Sequence, residues 1–270
     1  MNNARSFICK NARPIDFLRW QYHFENGSKE AVLQALSVYQ NEDGGFGHAL
    51  EPDAWNPNSS PMQTWAATEI LREIDYTDKN SAIIKGILRY LASGSSFDGD
   101  TWYNCIKTNN DYPHAPWWHT KDEIGEKTYN PSACLAGFII RFADEHSELY
   151  KLACCVAKEA CEHISDSPQQ QDMHVLACYM RLMQYCQEAG VTDVIDMNAL
   201  KEKLVQAVNK CITRDVSKWQ TSYICKPSQF FNSKDSVFYA GNEDIAKYEC
   251  EFIKNSQLDR RFVEYTVEME

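Results

Sequence analysis

Apolar residues recur every three or four positions along most of this chain, and stretches of strict alternation are scarce. That spacing lines one face of a helix with apolar side chains, so the pattern predicts helices rather than strands. The run from Pro14 to Glu25 carries Ile15, Phe17, Leu18 and Tyr22, with a proline at its start. Ser28 to Gln40 follows with Val32, Leu33, Leu36, Val38 and Tyr39. Ser28 suits a cap there, and Glu30 sits where an acid meets the positive helix end. Ser60 to Asp75 has the sharpest start, with Ser60 as cap and Pro61 at the first helical position. Gln63 is expected to close a capping box by reaching back to the Ser60 amide. Further runs cover Asn80 to Ser93, Asn130 to Phe142, Ser147 to Ile164, Gln171 to Ala189, Asp196 to Ile212 and Glu243 to Lys254. The chain is predicted to be all-α.

A repeat underlies these helices. Those ending at Gln40, Leu91, Ile212 and Gln257 each run into an Asp-led turn, at Asp43, Asp98, Asp215 and Asp259. The turns are one, two and one units of about fifty residues apart, and the skipped turn falls near Asp166. Helix pairs of that size cannot bury their faces alone, so they must stack or close. In the first turn Gly44 and Gly45 are expected to take positive φ. Gln40 and Asp43 should hold exposed amides, and Phe46 should pack. Phe97-Asp98-Gly99-Asp100-Thr101-Trp102 lies where the next turn belongs, so Asp98 is also read as structural.

Gln40-Asn41-Glu42-Asp43-Gly44-Gly45-Phe46-Gly47 resembles the repeat of the prenyltransferase and squalene-cyclase (terpenoid cyclase) superfamily. There, Gln-x-x-Asp-Gly-Gly-Phe or Gly-x-Trp turns join the helices of an α/α toroid. The repeat pattern covers about two-thirds of the chain. The longer string through Ala49-Leu50-Glu51-Pro52-Asp53 is similar to a bacterial prenyltransferase-like subgroup. The resemblance implies a single α/α toroid over residues 1–259 and an isoprenoid-related activity, binding or transforming a prenyl chain in an aromatic-lined central cavity. In protein prenyltransferase β subunits a related loop delivers an aspartate to zinc, and Asp53 falls near that position. No cysteine follows in this loop, and His48, His114 and His119 match no ligand spacing, so Asp53 is expected to pin its loop; no metal is predicted and no cofactor is assigned. The protonating Asp-x-Asp-Asp of class II terpene cyclases is matched only in part by Asp98-Gly99-Asp100-Thr101.

The final repeat breaks after Asp259: residues 260–270 contain neither glycine nor tryptophan. A plausible set of codons for Arg260 onward, read one base later, spells Gly-Gly-Ser-Trp-Asn-Ile-Pro-Trp, the turn the repeat calls for. A single-base insertion after Asp259 is therefore the expectation, leaving the toroid incompletely closed. Sequencing of the locus tests this, and lack of a downstream frame continuing the last helix would end it.

Candidate chemistry concentrates in two long connections. Glu51 and Asp53, with His48 and Trp55, precede Ser60; Asp111, His114, Trp117 and Trp118 lie between Trp102 and Asn130. Long ordered loops often serve a site. Asp53, Glu51 and His114 are the acid–base candidates, and His48, Trp55, Asp111, Trp117 and Trp118 the candidates for contacting ligand. A carbohydrate-processing enzyme is the alternative, with Glu51 or Asp53 facing Asp111 across a sugar at roughly 5–9.5 Å. A non-catalytic helical interaction module is the third reading. Met173, His174, Tyr179, Met180 and Met183 recur at helical spacing and read as core.

Composition narrows the partners. At 270 residues the chain can bury a full core. A formal charge of −11 argues against a nucleic-acid groove. The first residues lack the apolar heart of a signal peptide, and no apolar run is long enough to span a bilayer, so a cytoplasmic protein with a small-molecule ligand is expected. The 11 cysteines include no Cys-x-x-Cys and are read as reduced, mostly buried thiols.

Overall fold

The computed structural model describes residues 2–121, 128–166 and 172–256. These form ten α-helices and short 3₁₀ turns, with only isolated β-bridges and no sheet. The helices are α1 (Asn2–Asn11), α2 (Pro14–Phe24), α3 (Lys29–Ser37), α4 (Pro61–Glu73), α5 (Ala82–Ala92), α6 (Ser132–Phe142), α7 (Glu148–Asp166), α8 (Met173–Ala189), α9 (Met197–Cys211) and α10 (Glu243–Asn255). The nine expected helices form, with ends shifted by up to three residues. The additional one, α1, lies in a polar segment with little apolar pattern to announce it. No helix among the described residues is long and apolar enough to cross a membrane. The break after Asp259 and residues 260–270 lie outside the described residues, as does the stretch immediately after Asp166.

Local chemistry sets the helix starts. The hydroxyls of Ser28, Ser60 and Ser81 accept the amides of Ala31, Gln63 and Ile84. Asp172 and Asp196 each accept two amides at the heads of α8 and α9. Each bond satisfies a donor that the helix itself cannot. Gly190, left-handed at φ 68°, ends α8.

Helix α6 is the centre of the core, with Ser132 through Ile140 all buried. It packs against α7 and α8, and α8 in turn against α9. Gly137 makes the α6–α8 approach close: a Cβ there would meet Leu182 Cα at 2.9 Å. Ion pairs tie α4 to α8, Glu69 with Arg181 at 2.7 Å and Arg72 with Glu188 at 2.7 Å. The Met173–Met183 stripe is core as expected except for His174, which is exposed. Among the cysteines read as core, Cys134, Cys178 and Cys186 are buried, whereas Cys155 is exposed.

Candidate functional site

The first turn is a structural knot. Asp43 Oδ1 accepts the Gly45 amide at 2.9 Å and the Ser59 hydroxyl at 2.7 Å. Gln40 Nε2 donates to the carbonyls of Gly44 and of Ile83 in the first turn of α5. Phe46 is fully buried and its amide donates to Thr64 Oγ1 on α4. Of the two glycines only Gly44 has positive φ, at 96°; Gly45 is small because a Cβ would meet Ser59 Cβ at 2.6 Å. Asp98 acts similarly, accepting the amides of Asp100 and Thr101.

Gln63 departs from its expected role. Ser60 Oγ does accept the Gln63 amide, but the Ser60 amide donates to Phe46 O, so no capping box closes. The Gln63 side chain instead reaches into the 50–55 loop, accepting from the Glu51 amide and donating to Ala54 O, both at 2.7 Å. At 2% exposure it replaces water for both groups. Gln63→Ala is expected to cost about 2 kcal/mol by orphaning them. Chemical denaturation measures this, and a loss below about 0.5 kcal/mol would contradict the role.

The two loops singled out in the sequence are joined. Ala54 and His114 form an antiparallel bridge, the Trp55 amide donates to Pro113 O at 3.0 Å, and the Ala115 amide donates to Asp53 O at 2.8 Å. Trp118 Nε1 donates to Asp53 Oδ1 at 2.6 Å, which pins the carboxylate. His114 stacks on His119, with ring centroids 5.5 Å apart, and its Nδ1 lies 2.6 Å from Tyr112 O. Trp55 and Trp117 stand 60% and 55% exposed on the joined loops, while Trp118 is half-buried.

Glu51 is half-buried close to Asp53 on the same loop, and the charge and hydrogen-bonding capacity of that neighbour favour its protonated form. Burial, then the charge and hydrogen bond of Asp53, push its pKa from 4.5 to about 7; the cation of Arg13 opposes the shift. Arg13 is held by the carbonyls of Ala49 and Leu50 and by Asp16. The arrangement keeps an exchangeable proton on Glu51 near neutrality, the property of a general acid or base.

Two partners were not legible as site residues. Tyr223 donates its hydroxyl to, or accepts from, His174 Nε2, and the two rings stack at 6.2 Å. Burial, then the charges of Asp172, Cys225 and Asp53, raise the Tyr223 pKa. His174, in the first turn of α8, carried a weak signal: helix ends are where loops gather. Tyr223 carried none.

Two expected site residues do not join the cluster. Asp111 is exposed at the end of the 3₁₀ turn Lys107–Asp111, and among the described residues no hydrogen bond links it to Glu51 or Asp53. His48 bonds Asn41 Oδ1 at 2.9 Å, in the first turn. Among the described residues no three His, Cys, Asp or Glu side chains are arranged to hold a metal ion. Comparison with family models, with curated proteins and with solved structures finds no match to the chain.

Proposed function

We propose that the joined loops form a proton-transfer site for a hydroxyl-rich, carbohydrate-like ligand, carried on the rim of an α/α toroid of the prenyltransferase and terpene-cyclase kind. The observation that carries this reading is the Glu51–Asp53 carboxyl pair, pinned by Trp118 beneath a surface bearing exposed Trp55 and Trp117. Glu51 exchanges the proton, Asp53 holds it in place, and His114 is the second titratable group of the patch. The exposed indoles offer flat apolar faces with polar edges, suited to a sugar ring.

The pair also limits the reaction. Glu51 and Asp53 sit two positions apart on one loop, and Asp111, the carboxylate expected to face them, bonds neither among the described residues, so this loop does not offer the opposed pair that glycosidases hold roughly 5–9.5 Å apart. Single proton transfer, as in an epimerisation or elimination, fits better than paired-carboxylate hydrolysis. The exposed indoles beside the Glu51–Asp53 pair favour the polar ligand over the isoprenoid one.

Tryptophan fluorescence and native mass spectrometry with panels of oligosaccharides and prenyl diphosphates test the ligand class. Oligosaccharide binding that weakens in Trp55→Ala and Trp117→Ala is expected; retention of prenyl diphosphates alone would overturn the class. With a turned-over ligand in hand, Glu51→Gln should lower kcat by about 10²–10⁴-fold and remove the limb of the pH–rate profile near 7. An unchanged profile would remove Glu51 from the chemistry.

A further inference from the structure

A cleft opens between α8, α9 and the stretch 228–238 that leads to α10, and none of its lining residues belongs to the two joined loops. Its volume is about 410 Å³, within the range that holds a small organic molecule. The 228–238 wall is tied at both ends. Glu249, buried on α10, accepts the Ser228 amide at 2.9 Å and the Ser228 hydroxyl at 2.6 Å. Asn242 Nδ2 donates to Phe238 O at 2.9 Å. Phe231, half-buried, lines the cleft and meets Tyr239 edge-on, with ring centroids 5.9 Å apart.

The α8–α9 wall carries donors that the fold leaves unspent. Arg181, Gln184 and Gln187 are spaced by three, which sets them along one face of α8. Arg181 Nε donates to both oxygens of Glu69, at 2.9 and 2.7 Å, and its Nη1 donates to Gln184 Oε1 at 2.7 Å. Those bonds hold the guanidinium and use the one acceptor of the Gln184 side chain. Among the described residues Arg181 Nη2, Gln184 Nε2, the Gln187 side chain and Lys201 Nζ make no hydrogen bond. In a chain of formal charge −11, one cleft thus gathers two cations and two amides able to donate.

We propose that this cleft is a binding site for a small organic anion with a flat apolar body, of the aromatic carboxylate class. Arg181 and Lys201 take the anionic group, and Gln184 and Gln187 donate to its remaining lone pairs. Phe231 covers the ring of the ligand. Because Glu69 and Gln184 already fix Arg181, little side-chain freedom is lost on binding. Asp235, on the facing wall, repels a second negative charge and confines the ligand to one anionic end.

Titration calorimetry of the full chain with cinnamate, and with its uncharged amide cinnamamide, tests the class. Cinnamate should bind saturably, about tenfold more tightly than cinnamamide. Acetate, which lacks the ring, should bind about tenfold more weakly than cinnamate. Lys201 is exposed, so Lys201→Gln leaves the fold in place and should weaken cinnamate about threefold. Phe231→Ala, or Phe231→Leu if alanine loosens the wall, should weaken it about tenfold. Asp235→Asn should tighten it about twofold. In nitrogen-resolved NMR spectra the Gln184 side-chain amide should shift on binding, and the Trp55 and Trp117 indoles should not. No saturable binding, or equal affinity for cinnamate and cinnamamide, would overturn the anion site. Shifts centred on the two indoles, or affinity unchanged in both Lys201→Gln and the Phe231 variant, would overturn its location. Weaker binding in Asp235→Asn would overturn the role given to that carboxylate. None of these readouts uses turnover or the Glu51 proton, so failure here leaves the acid–base proposal intact, and failure there leaves this one.

Discussion

Gly44→Ala should cost at least about 4 kcal/mol and leave little folded protein at physiological temperature. An alanine Cβ at this position would lie 2.1 Å from the Gly86 carbonyl oxygen and 2.6 Å from its carbon. Both atoms are helix backbone in α5, so relief requires moving the helix rather than rotating a side chain. The residue also holds φ at 96°, which disfavours any side chain. The contact is reciprocal in its smallness: a Cβ on Gly86 would meet Gln40 Nε2 at 2.4 Å, the group that bonds both Gly44 O and Ile83 O. Gly94→Ala is the control, since its φ is 71° but nothing lies within 4 Å of the added Cβ. It should cost only about 1 kcal/mol. Calorimetry of both variants separates backbone strain from collision. Similar losses for the two would show that the turn is not wedged against α5.

Glu51→Gln should stabilise the protein in alkaline and neutral solution and do almost nothing in acid. The Glu51 pKa is raised from 4.5 to about 7 in the folded chain, so the native state binds the proton more tightly than the unfolded state. Below pH 4.5 Glu51 is protonated in both states and contributes no difference. Between 4.5 and about 7 the unfolded chain releases its proton first, and stability falls as pH rises. Above that window the half-buried carboxylate costs the full linkage energy, about 3 kcal/mol. A glutamine stays neutral. The expected gain therefore grows from near zero at low pH to about 3 kcal/mol above neutrality, or several degrees in Tm. Urea unfolding across the range tests it, and a gain independent of pH would show that Glu51 is not held in its proton-bound form.

Which residues meet was legible in part. Asp53 and Trp118 were both singled out, each for its own loop, yet their hydrogen bond spans 65 positions. Asp111, marked as the facing carboxylate, stayed at the surface because its 3₁₀ turn directs Asn109, not Asp111, into the interior; Asn109 bonds Asn56 and Trp118 O there. Gln63 was misassigned for a related reason. The local motif of a Ser60 cap with Gln63 three residues on predicts a short-range bond, but the Ser60 amide already had a partner in Phe46. A longer reach to Glu51 and Ala54 satisfied more groups.

The sequence alone determined nine of the ten described helices, the caps at Ser28 and Ser60 and the Asp43–Gly44 turn. Those features are decided within a few residues, by apolar spacing, a hydroxyl placed beside an orphan amide and a backbone angle that favours glycine. Only the tertiary structure decided that residues 50–55 lie against residues 109–119, that Glu51 holds its proton to near pH 7, and that Tyr223 returns to His174. Those outcomes depend on burial and on charges brought together by packing. The energy of a carboxyl is set by the neighbours that the fold supplies, wherever in the chain they come from.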